Sequence, residues 1–83
     1  MEMNLSGDLR IYSAPKALLR HIEWSLNTIF EEHVTIEWMA QPLSAGTYAC
    51  EINWRARKPR ASKIASTLKS WHFIRFEVRE FPT

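Results

Sequence analysis

Three histidines, His21, His33 and His72, and one cysteine, Cys50, are the side chains best suited to hold a soft metal or to act as nucleophile and base. Their spacing argues against both roles. No C-x-x-C or H-x-x-x-H pair occurs, and small metal sites are usually built from such pairs. Cys50 alone reads as a small core hydrophobe rather than a nucleophile. His21 and Glu23 could form an acid–base pair, but residues two apart on a helix do not face each other. Gly7 and Gly46 are the only glycines, so there is no glycine-rich phosphate loop. The sequence therefore predicts no metal, no cofactor and no catalytic residue.

The strongest charge signal is a basic stretch, Arg55, Arg57, Lys58 and Arg60, continued by Lys63. No acid lies between Glu51 and Glu77. Such a stretch can bind an anion or nucleic acid, helped by the N-terminus of a following helix. The favoured reading is a solvated loop partly neutralised by Glu31, Glu32 and Glu80. Among the aromatics, Trp24 stands apart. It falls on the polar side of a predicted helix beside His21, where a tryptophan is either an interaction anchor or lies flat on Ala17 and Thr28. Tyr12 and Phe73 are predicted to point outward from strands, and they join Trp24 and His21 as candidates for a protein interaction.

These side chains need a scaffold, and its centre is the stretch His33 to Arg55. Val34, Ile36 and Trp38 alternate with polar residues; so do Tyr48, Cys50, Ile52 and Trp54. Two runs of period two around turn residues 41–47 predict a hairpin of half-buried strands. Upstream, 8–12 reads as a strand with Leu9 and Ile11 inward, after a loose arm over 1–7. A helix follows to about Phe30, with Ser13 as its N-cap and Pro15 in its first turn. Its apolar face carries Leu18, Leu19, Ile22, Leu26, Ile29 and Phe30. Glu31 and Glu32 at its end oppose the helix dipole and need a basic partner. A second helix spans 61–70, with Ile64 and Leu68 inward. A last strand spans 73–80, with Ile74, Phe76 and Val78 inward.

The order strand, helix, strand, strand, helix, strand predicts a ferredoxin-like α+β sandwich. Its four-stranded antiparallel sheet has the order 4-1-3-2, with both helices on one face. This places the basic loop beside Glu31, Glu32 and Glu80. The 83 residues make one domain with a thin core, thickened by four tryptophans, four phenylalanines and two tyrosines. A net charge of +2 singles out no partner class. No apolar run is long enough for a membrane span, and the first residues do not read as a signal peptide. A cytoplasmic protein is the expectation.

Several local patterns occur together: Ser13-Ala14-Pro15, His21-Ile22-Glu23-Trp24, Glu37-Trp38 followed by Gln41-Pro42, Gly46-Thr47, Asn53-Trp54, and Lys63-Ile64-Ala65-Ser66 with Trp71. In this order and spacing the chain from Leu9 onward resembles the N-terminal half of an actinobacterial family called domain of unknown function 3145. Members of that family are longer, and their loop after the second hairpin strand is glycine-rich where this one is basic. The resemblance implies the fold and an actinobacterial origin, and brings no activity with it. The function expected is a small non-catalytic protein-interaction or regulatory module, binding a protein partner or a second copy. The alternative is an anion- or nucleic-acid-binding domain using the basic loop.

Overall fold

Leu9, Ile11, Ile22, Leu26, Ile64 and Leu68 are fully buried, and they come from one strand and two helices. They form a single core with Ile52, Cys50, Ile29, Phe30, Ile74 and Ala14. A computed structural model describes residues 4–82. Its elements are β1 (Leu5–Pro15), α1 (Leu19–Phe30, preceded by a single 3-10 turn over Lys16–Leu18), β2 (Met39–Ala40), β3 (Thr47–Ala56), α2 (Ala61–Lys69) and β4 (Arg75–Pro82). The sheet order is β2-β3-β1-β4, and every pairing is antiparallel. This is the α+β sandwich in the ferredoxin-like arrangement that the element order predicts.

The central strand β1 is longer than its alternation suggests. Leu5, Ser6 and Gly7, expected to be part of a loose arm, pair with both Trp54–Ala56 and Glu80–Pro82; of the rest of that arm, Asn4 precedes the strand and residues 1–3 lie outside the described residues. Gly7 sits opposite Trp54, and a Cβ there would collide with the indole ring. At the other end, Ser13 and Pro15 stay in the strand and do not cap the helix. A register shift after Ile11 carries the strand on to Pro15, whose partner is Thr47. The first turn of the helix has no side-chain cap.

The faces of the elements follow the periodicities. Helix α1 buries Ile22, Leu26, Ile29 and Phe30, and α2 buries Ile64 and Leu68. Phe76 and Val78 of β4 are half-buried against the core. The last strand begins at Arg75, so Phe73 lies in the preceding turn, 77% exposed. On the open face, opposed residues carry opposite charges. Arg10 meets Glu51 at 2.9 Å, and Arg79 meets Asp8 at 3.1 Å. Each carboxylate raises the pKa of its guanidinium through a hydrogen bond and charge attraction. Such a face is stable in water.

The largest departure concerns the first strand of the hairpin. Only Met39 and Ala40 pair with β3. Residues 33–38 keep the alternating exposure of a strand, with Val34, Ile36 and Trp38 packed on the core, but form no ladder. The cause is competition from α1. Asn27 Oδ1 accepts the Val34 N–H at 2.8 Å, and Glu23 Oε1 accepts the Trp38 indole N–H at 2.7 Å. Glu23 and Asn27 are four apart on the helix, hence on one face. Two anchors at this spacing hold the segment to the helix rather than to the sheet.

Candidate functional site

The basic loop folds back onto the end of α1. Arg60 Nη1 donates to the Ile29 carbonyl at 2.7 Å, which satisfies one of the orphan acceptors at the helix C-terminus. Its Nη2 lies 3.9 Å from Glu31 Oε2, a loose ion pair. Glu31 itself ends the helix in the left-handed conformation, φ 58°. The backbone N–H groups of Arg60 and Ala61 donate to Glu80 Oε2 at 2.8 and 3.4 Å. A carboxylate from β4 thus caps α2, whose first turn contains no acid of its own. Of the three acids expected to neutralise the loop, Glu31 pairs loosely with the Arg60 side chain and Glu80 takes backbone N–H groups of the loop's end, while Glu32 lines the cleft beside the loop.

A cleft of about 560 Å³ opens between this loop and the segment following α1. Glu32, His33 and Val34 form one wall; Arg55, Arg57 and Lys58 form the other; Phe30, Ile52 and Trp54 lie between. Phe30 and Trp54 pack with ring centroids 5.4 Å apart and a 51° tilt. Four cations, counting Arg60, line the cleft against the single acid Glu32. Among the described residues, Arg55 and Lys58 form no side-chain ion pair or hydrogen bond. The indole N–H of Trp54 is buried without a partner among the described residues. Burying such a donor unpaired costs about 1–3 kcal/mol.

Four of the five basic candidates thus gather at one site. Lys63 does not: it is exposed on α2 and does not line the cleft. The interaction candidates scatter over three places. Trp24, 73% exposed, and His21 lie on α1, away from the sheet. Tyr12, 40% exposed, lies on the open face, its hydroxyl donating to Glu77 at 3.0 Å. Phe73 sits in the turn before β4. His21 is separate from Glu23, which is engaged with Trp38.

Cys50 is buried on β3, and burial pushes its thiol up to about 11. No group of three or more potential metal ligands gathers among the described residues, and no described helix is long and apolar enough to cross a membrane. Spacing and composition alone do not point to the wall at His33 and Val34, nor to Trp54 between the walls. The signal that could have exposed them was the pair Glu23 and Asn27: two polar residues at helical spacing beside an apolar face.

Fold and site together define a small ferredoxin-like α+β sandwich with a cationic, aromatic-floored cleft at one end of its sheet. The chain belongs to the family described as protein of unknown function (DUF3145), whose model matches residues 9–83. No curated protein and no solved structure matches the chain.

Proposed function

We propose that the chain is a non-catalytic protein-interaction module that receives an anionic group of its partner in the cleft beside Trp54. Its setting in this reading is the actinobacterial cytoplasm, and its match is to the N-terminal half of the longer family members. The observation that carries the proposal is that Arg55 and Lys58 both line the cleft and, among the described residues, neither holds a carboxylate. Cations beside an aromatic floor suit a carboxylate or phosphate attached to an apolar or flat group. The test is titration with poly-glutamate and with a single-stranded oligonucleotide at low salt, followed by calorimetry. Binding that falls at least tenfold in the double variant Arg55→Ala/Lys58→Ala supports the proposal. Binding of neither probe overturns it.

A second docking point is favoured by the exposure of Trp24. A ring 73% exposed is not lying under neighbouring side chains, and a large apolar residue so placed suits a partner's pocket. Trp24→Ala should leave the denaturation midpoint within about 0.5 kcal/mol of wild type and weaken association by about 2 kcal/mol. A large loss of stability with association intact would remove this second point.

A further inference from the structure

One side of the cleft is the outer edge of β3, which pairs with β2 only at Tyr48 and Ala49. The Gln41 N–H donates to the Thr47 carbonyl at 3.0 Å, so Thr47 presents its backbone groups to the β2 side of β3. In a regular antiparallel strand these directions alternate. The N–H and C=O of Ala49, Glu51, Asn53 and Arg55 therefore point to the same edge. Ala49 is met there by Met39. The next three have no ladder partner among the described residues, because Asn27 and Glu23 hold residues 34–38 to α1. The Asn53–Arg57 stretch of β3 and its loop lines the cleft across from His33 and Val34.

We infer that this edge accepts an extended acidic peptide as an added strand of the sheet, between β3 and the segment 33–38. The inference rests on the anionic-partner reading above and names the partner's form. An exposed strand edge is a template for pairing with another chain, and strand addition is a common mode of peptide capture. Charge selects the occupant. Arg55 stands on the edge and Lys58 in the loop that continues it, so a second copy of the same edge would bring like charges together, whereas an acidic strand would not. A nucleic acid would satisfy the charges but not the alternating donors and acceptors of Glu51, Asn53 and Arg55. A peptide backbone satisfies both. The floor of Trp54 and Phe30 offers its alternate side chains an apolar contact.

The experiment uses an end-capped peptide of alternating valine and glutamate and two N-methylated twins. One twin is methylated on every valine nitrogen, the other on every glutamate nitrogen. The twin whose methyl groups face β3 should lose about tenfold or more in affinity, and the other should bind as the parent does. In the uncomplexed chain the amides of Glu51, Asn53 and Arg55 should exchange rapidly with deuterium, and the parent peptide should slow them. If both twins bind like the parent, strand addition is wrong while anion binding stands. If those amides are already protected without peptide, residues 34–38 close the edge themselves and the inference fails. An oligonucleotide that binds more tightly than the peptide would also overturn it. If no anion binds at all, the proposed function falls with it.

Discussion

Replacing Glu80 with alanine removes the carboxylate that, among the described residues, caps α2. The first turn of that helix has no acid, and Arg60 at its N-cap contributes no side-chain cap. Glu80 Oε2 serves the N–H groups of Arg60 and Ala61 from a neighbouring strand. Loss of a capping acceptor costs about 0.5–2 kcal/mol, and loss of an anion at the positive end of the dipole costs about 0.3–1 kcal/mol. The two overlap, since one oxygen supplies both, so the expected total is about 1–2 kcal/mol. In a domain of this size that is a fall of roughly 5–15 °C in Tm. Glu80→Gln keeps an acceptor and should recover most of the hydrogen-bond part. Urea melts of both variants give the energies. Amide exchange at Ile64, whose N–H makes the first bond of α2 with the Arg60 carbonyl, shows whether the helix start frays. Glu51→Ala, which breaks the exposed Arg10–Glu51 pair, is the reference. If Glu80→Ala moves the midpoint no further than Glu51→Ala, the capping argument is refuted.

Leu26→Ala should destabilise by about 2–5 kcal/mol, because its side chain is fully buried between the layers; an unmoved urea midpoint would show that the helix face is misassigned. Gly7→Ala should cost about 1–3 kcal/mol as the Trp54 ring is pushed away, and the Trp54 fluorescence, isolated by comparison with Trp54→Phe, should shift with it. Cys50 should resist alkylation at pH 8 in the native chain and react once unfolded, because burial disfavours its thiolate. Its protonated form is held by the fold. Between the ordinary value near 9 and the folded value of about 11 the unfolded chain has lost this proton and the native chain has not, so stability relative to Cys50→Ala should fall as pH rises through that window; a flat difference between the two melts would contradict it.

The layers of this fold were legible because burial alternates on strands and recurs every three or four residues on helices. The faces of α1, α2, β3 and β4 all follow from that. So did the meeting of the basic loop with Glu31 and Glu80, since the topology puts those ends together. What escaped the sequence were places where a side chain outbid the backbone. Val34, Ile36 and Trp38 have the facing of a strand, and alternation reports facing only. It does not say whether the N–H groups go to a neighbouring strand or to Asn27. Ser13-Ala14-Pro15 carries the signature of a helix start, but pairing with Tyr48, Thr47 and Arg75 extends β1 through it. The exposure of Trp24 and the company kept by Arg60 depend on side-chain placement that one-dimensional spacing does not encode.

The position of β1 has a consequence for how the chain acquires its fold. Of the four described strands it is synthesised first, yet it lies inside the sheet, and both of its neighbours are made later. Leu9 waits for Ile52 on one side and for Val78 on the other. An emerging nascent chain can form α1 alone, but it has no surface on which to seat it until β3 appears, and the sheet stays incomplete until β4 has left the ribosome. Contacts this distant in sequence make assembly slow relative to a helical protein of equal length. During that interval Leu9 and Ile11 have only one or neither of their covering strands, so the period before β4 emerges is when this small domain is most exposed to aggregation and most dependent on chaperones.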